Sequence, residues 1–548
     1  MRQTYSQSFK GGGNHARSRT GKPCVGPATA PYNFIPCDPR GIVPSPPNDG
    51  TAYTGVIHCR LRALTPLLVA GPQEAKGRDT QDAEAQDRRF FMVDGKPVIP
   101  GTSLKGMLRS FVEIISHSHL SPVNGGKLFW RNVTGTKSAA YKEKFPPDDN
   151  ILGGFLHRKG ARYTLEPASR ITRGIGPEAY QTGKMHLKEQ GYIFHRVKEE
   201  KDRKTWDVPP EVVETFFDQM TEDQENRWGR KEKPHLDDGK GARVFYCVDK
   251  NGQIAALGTA RYFRVAYRHT VRDLVGECPA DDFAAGLFGS VGRIIRKGRV
   301  AVSAARFTRH SWHSPSPIEA ILMEPHPTCL LHYLQQPKAR DCGNKLDELE
   351  TYDSPGARLR GRKYYWHCKS VRLCPKHLRG KSKIVSRLHP LAAESEARFT
   401  IRVDGVSGVE LGALLTALEL PQGHAHKLGL GKALGLGSVR LEVEDVLVQP
   451  RRERYASLRD RFAGGPAPLT PAACQELKAA FQGYVGERMG KPYEQLESIR
   501  TLLAMTDFDQ CPRAEKTAPM PLEEKYGQPN FAKSKALLPS ALKVYGSR

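Results

Sequence analysis

Val98-Ile99-Pro100-Gly101-Thr102-Ser103-Leu104-Lys105-Gly106-Met107-Leu108-Arg109 is the stretch on which the fold turns. Its first two residues close a strand, Pro100-Gly101 breaks it, and Leu104, Met107, Leu108, Phe111, Val112 and Ile115 then recur at helical spacing with one face to bury. Thr102 or Ser103 is expected to cap the helix. Just upstream, Asp94-Gly95 has the composition of a hairpin turn after a short strand at Phe90 to Val93. Further back, Ile57, Cys59, Leu61 and Ala63 alternate with His58, Arg60 and Arg62, the period-two pattern of a strand with one apolar and one basic face.

The same logic returns far downstream. Phe399, Ile401 and Val403 alternate with Arg398, Thr400 and Arg402, and Leu411, Leu414, Leu415 and Leu418 mark a helix. A Gly-rich run from His426 to Gly437 then feeds a strand in which Val439, Leu441 and Val443 alternate with Ser438, Arg440 and Glu442. Gly298 to Phe307 reads as another strand between the halves. The order is β-α-β, interrupted, then β-α-β, which predicts an α+β, ferredoxin-like (RRM-like) core.

The intervening segments divide the chain. Residues 1–52 read as a flexible basic segment in which Pro31 to Pro36 alone looks able to dock; 53–119 is the first half of the core and 120–285 a large insertion with its own hairpin around Asp249 to Gly252. Residues 286–324 hold core strands, 325–390 form a Cys/His/Arg-rich insertion, and 391–449 complete the core with the Gly-rich loop. Residues 450–548 are expected to be a helical extension and tail, with Thr470-Pro471 as N-cap and N1, and Leu496, Ile499, Leu502 and Leu503 on one helix face.

Lys plus Arg number 84 against 59 Asp plus Glu among 548 residues, a formal charge of +25 that favours a polyanionic partner, nucleic acid first. No run of about 18 apolar residues occurs, so no membrane-spanning helix is expected. The N-terminus lacks the apolar stretch of a signal peptide, and the eleven cysteines have no tight even spacing; both point to a cytoplasmic protein.

Two motifs suit phosphate. A helix N-terminus offers unpaired N–H groups, and Lys105 and Arg109 stand at i and i+4 beside it, although an ordinary capped helix with solvated basic residues would look the same. In the Gly-rich run, Gly429 and Gly431 allow close backbone approach while Lys427 and Lys432 add charge; a mobile loop chosen for its turns is the alternative. The run lacks the strand-first context of a dinucleotide or P-loop fingerprint. His367, Cys368, Cys374 and His377 form an HC-x5-C-x2-H pattern that is a candidate zinc site, set against a scatter of reduced cysteines, because the close paired spacing of structural zinc is not met.

Val98 to Arg109 resembles the "IPGSSLKGxLR" signature of RAMP proteins, and Lys427 to Leu441 is similar to their Gly-rich loop and final strand. Tyr32 to Pro36, Ala260 to Tyr267, Leu287-Phe288-Gly289 and Arg360 to His367 resemble pieces of a long, insertion-bearing class found with type III CRISPR loci. The resemblance implies a backbone subunit that stacks with other RAMP subunits along a guide RNA (crRNA) and meets complementary target RNA. It implies that Thr102, Ser103, Lys105, Arg109, Lys427, Gly429, Gly431 and Lys432 face phosphate, with the basic strand residues Arg60 and Arg62 behind them. In catalytic members a carboxylate between the first strand and the signature helix supports metal-dependent endoribonuclease action, which here points to Asp82 and Asp87, then Asp79, with Mg²⁺ or another divalent cation. A non-catalytic RNA-binding subunit and a metal-independent guide-processing ribonuclease stay open as alternatives.

Overall fold

The structure is a computed structural model that describes residues 26–37, 42–46, 52–72, 86–121, 123, 125–131, 151–175, 178–180, 191–249, 251–291, 295–322, 325–373, 385–450, 466–520 and 535–547. Its largest sheet is built from β1 (Tyr53–Ala63), β2 (Lys96–Ile99), β3 (Ala305–Arg309), β4 (Glu396–Val406) and β5 (Ser438–Pro450), with shorter strands at its margins. The spatial order is β5–β1–β4–β3–β2, every neighbour antiparallel. β1, the first of these strands to be made, therefore sits between the last two. Its alternation holds: Ile57, Cys59, Leu61 and Ala63 are buried, while His58, Arg60 and Arg62 point away from the core.

Two helices cover the apolar face. The first, α1 (Gly101–Ile115), buries Leu104, Met107, Leu108, Phe111, Val112 and Ile115. Pro100, not Thr102 or Ser103, is its N-cap, without a side-chain cap; both hydroxyl residues already lie inside the first turn. The early start depends on Gly101, where a Cβ would collide with the carbonyl oxygen of Val302, so only glycine brings the helix this close to its neighbouring strand. The second helix, α2 (Gly408–Leu418), starts in a Ser407–Glu410 capping box and buries residues nearly all round. That burial has a cause in sequence beyond the core: α3 (Pro471–Met489) packs on its outer side, and Gly412 makes room for the Leu477 carbonyl.

The segment between α1 and β3 folds around a hydrophobic core of its own, from Leu156 to Val265, under a five-stranded sheet that includes the expected hairpin, Ala242–Val248 with Ile254–Gly258. By contrast, the described residues of 325–390 are sewn into the main body. Trp366 joins the main core, and Arg362–Tyr365 pairs with Tyr32–Ile35 near the N-terminus. Asn33 donates to Pro539 O at 3.1 Å and Arg360 to the same carbonyl at 3.1 Å, so early, middle and late parts of the chain meet there. Further along, Thr470 caps α3 through Ala473 N, and the helix Glu497–Thr506 buries Ile499 and Leu502. Among the described residues, no helix is long and apolar enough to cross a membrane.

Candidate nucleic-acid interface

The signature helix separates its two cations. Arg109 Nε donates to Glu113 Oε1 at 2.8 Å and its Nη1 to Gly289 O at 3.0 Å, and Arg362 closes the other side of the same carboxylate at 2.6 Å. Burial pushes the Glu113 carboxyl upward and the two guanidinium groups offset it. Arg109 is thus an internal fastener. Lys105 has no hydrogen bond or ion pair among the described residues; its ammonium lies over Gly298, at the neck of a loop that carries Arg296 and the exposed Lys297. Burial, then Arg109, lowers its pKa. Thr102 and Gly106 are exposed on the same end of the helix, and no atom would meet a Cβ at Gly106, so bare backbone faces outward there.

The Gly-rich loop is packed against its own protein more than the sequence foretold. Gly429 and Gly437 have φ of 82° and 74°, and a Cβ at either would strike a carbonyl, of Leu68 and Leu428 respectively. Gly431, at φ 75°, turns the chain into the short helix Lys432–Leu434. Lys427 points inward: its Nζ donates to Leu436 O at 3.0 Å, and burial pulls its pKa down to about 7. Lys432 is half-buried with no partner among the described residues, and burial lowers its pKa too. An anion placed there would favour the ammonium form against which burial works.

The outward face of the sheet is less open than single strands suggested: Arg306, Arg402 and Arg440 have no ion pair among the described residues, but four other arginines do. Arg60 is paired with Glu442, Arg62 with Glu394 at 2.7 Å, Arg398 with Glu444 at 2.9 Å and Arg309 with Glu396 at 3.0 Å. The register explains it, since Arg60 stands opposite Glu442 on one side and Arg398 on the other.

Of the loop carboxylates, Asp79 and Asp82 lie outside the described residues. Asp87 lies in the short strand Gln86–Arg88, parallel to Ser386–Leu388. Its Oδ1 accepts from His389 Nε2 at 2.5 Å and its Oδ2 from Arg89 Nε at 3.1 Å. Partial burial opposes ionisation, but these two donors hold the carboxyl below its usual range. Each oxygen thus has one donor beside it and keeps further acceptor capacity. No residue pattern in the sequence marks His389 as its partner.

The zinc pattern is divided as well. His367 is fully buried, its Nε2 donating to Ala425 O at 3.1 Å and its Nδ1 accepting from Ser438 Oγ at 2.9 Å, so neither nitrogen offers a lone pair to a metal. Cys368 Sγ lies 3.2 Å from Ser370 O, and Cys374 and His377 lie outside the described residues. Among the described residues, no group of three or more His, Cys, Asp or Glu side chains is arranged to hold a metal ion.

An antiparallel sheet backed by two helices, with a signature helix N-terminus and a Gly-rich loop at its ends, is the class that fold and site define. The chain matches the RAMP superfamily over residues 60–440, well over half its length, and belongs to that superfamily. Among solved structures it is similar to Csc2 of Thermofilum pendens, at 12% identity and a TM-score of 0.23, covering 89% of this chain and 93% of that one. It is also similar to a chain of the type III-B Cmr-beta complex bound to cognate target RNA, at 12% identity and a TM-score of 0.20, covering 71% of this chain and 97% of that one. No curated protein matches.

Proposed function

We propose that the chain is a guide-RNA-binding backbone subunit of a type III CRISPR effector complex, working in the cytoplasm with guide RNA, complementary target RNA and neighbouring RAMP subunits. Its core is read as ferredoxin-like, which the order fourth–first–third–second of β5, β1, β4 and β3 supports, with insertions after α1 and after β3. The observation that carries the reading is that the superfamily match spans both the signature helix and the Gly-rich loop, and that each presents a lysine, Lys105 and Lys432, without an internal partner among the described residues. Phosphate is the group such lysines beside exposed backbone accept.

Electrophoretic binding of labelled guide RNA to the full-length chain, repeated across salt concentrations, tests this. Binding that weakens with salt along a linear logarithmic slope is expected. Absence of binding at low salt, with the chain folded by circular dichroism, removes the proposal.

A further inference from the structure

The ribbon of Tyr32–Ile35 and Arg362–Tyr365 has two faces. One is turned to the core, where Tyr364 meets Phe111 and Arg362 meets Glu113. On the other, alternation brings up Tyr32, Phe34, Lys363 and Tyr365, and the short helix Leu330–Tyr333 adds the ring of Tyr333. Lys363 sits inside this aromatic group, its Nζ 3.9 Å from the centre of the Tyr32 ring and 5.2 Å from that of Tyr365. Rings hold an ammonium by its charge but give its hydrogens no oxygen to bond. Of the three N–H groups, one donates to Tyr333 Oη at 3.1 Å; among the described residues Lys363 has no other hydrogen bond and no ion pair. Burial accordingly lowers its pKa to about 8.

Lys363 and Tyr333 also line a cavity of about 350 Å³, within the size range of small-ligand sites, roughly 300–1,000 Å³. Its remaining wall is mostly apolar and comes from separate parts of the chain, with Phe34, Leu359, and Ser110 and Ile114 of α1 among it. Thr102, Gly106 and Ser110, spaced four apart, form an exposed stripe on α1. That stripe runs from the helix N-terminus to the cavity, about 12 Å at 1.5 Å per residue. Aromatic and aliphatic walls suit a flat ring, and the spare N–H groups of Lys363 call for acceptors on its edge. Among the nucleobases, guanine sets O6 and N7 side by side as two acceptors, whereas adenine places an amino donor next to N7.

We propose that this cavity binds a guanine base, read by Lys363 at O6 and N7 and stacked on Tyr333, with its ribose and phosphate at the mouth beside Ser110. The guanine belongs to an unpaired nucleotide of the bound RNA or to a free guanine nucleotide, and the same contacts recognise both. The RNA source rests on the function proposed above; the free-nucleotide source does not. Adenine is rejected because its amino group would face an ammonium that can only donate. Lys363 is thus a specificity-determining residue, unlike Lys105 and Lys432, whose proposed partner is phosphate whatever the base.

The test is calorimetric titration of the full-length chain with GMP and with AMP, in the absence of RNA. GMP should bind, and AMP should bind at least about tenfold more weakly. Lys363→Met, which keeps the stem and removes the donors, should weaken GMP about tenfold or more while the melting temperature stays at or above the native value, since a buried ammonium opposes folding. Lys105→Ala should bind GMP as the native chain does. A short single-stranded RNA of adenines with one central guanine then gives the source: displacement of GMP by it, and not by the all-adenine strand, puts the guanine in RNA, and no displacement by either assigns the cavity to the free nucleotide. Equal affinity for GMP and AMP, no binding of GMP by the folded native chain, or native affinity in Lys363→Met each overturns the site. The contrast between GMP and AMP is read on the native chain, so it decides the matter even where Lys363→Met fails to fold. A chain that binds GMP but shifts no guide RNA overturns the RNA-binding function alone.

Discussion

The outward face of the sheet and the loops at the ends of its strands draw on the same basic residues and use them in opposite ways. On the face, Arg60, Arg62, Arg309 and Arg398 each have a carboxylate partner. At the loops, Lys105 and Lys432 have none among the described residues, and burial depresses both. Formal charge and available charge thus differ within one molecule. The +25 excess over the whole chain says little about where a polyanion would lie, because a cation already neutralised releases few counterions when RNA arrives.

The comparison breaks most sharply at Arg109, a loop-end cation that behaves like those of the face. Glu113→Ala leaves Arg109 and Arg362 buried around a missing partner, and a loss of about 3–5 kcal/mol is expected in urea unfolding. A loss under about 1 kcal/mol would return Arg109 to the set available for phosphate.

Next in size is Lys427, a loop cation turned inward. Its folded pKa of about 7 lies below that of an unfolded lysine, so the unfolded chain binds the extra proton between the two values. Stability should therefore rise as pH climbs from 7 to 9, by about 2 kcal/mol, and the penalty of charging the buried amine should be fully present below pH 7. Lys427→Met is expected to abolish that rise in thermal melts taken across the range; an unaltered pH dependence would place the ammonium in water.

Smaller again, Lys105→Ala combined with Lys432→Ala should weaken guide-RNA binding about tenfold and flatten the salt slope by about 1.4, near 0.7 for each lost contact to single-stranded RNA. The least effect is expected of Arg60→Ala combined with Glu442→Ala: an unchanged salt slope. A flattened slope in that variant would mean that the face opens its ion pairs to bind RNA.

Much of the core was legible because each element carries its period. Strand alternation in β1 and β4, the apolar stripe of α1 and the Asp94-Gly95 hairpin all form as read; Asp94 and Gly95 take φ of 49° and 72°. What stayed hidden arises between elements. Glu442 and Glu444 are plain in the sequence, but their neutralisation of Arg60 and Arg398 depends on strand register, which no single strand reveals. Asp87 and His389 are 302 residues apart, and Glu113 and Arg362 are 249 apart, beyond any local pattern. The cap of α1 was misread for a different reason, since the clash that fixes Gly101 comes from Val302.

The central place of β1 also sets a timetable for synthesis. Between Ala63, where β1 ends, and Glu396, where its first neighbour begins, the ribosome adds about 330 residues, which takes roughly twenty seconds to a minute. For that interval both edges of an apolar strand emerge unpaired, while the segment between α1 and β3, with a core of its own, has all it needs to fold at once. The growing chain thus carries a finished domain beside an unfinished one, and the unfinished one holds the strand most prone to pair with the wrong neighbour.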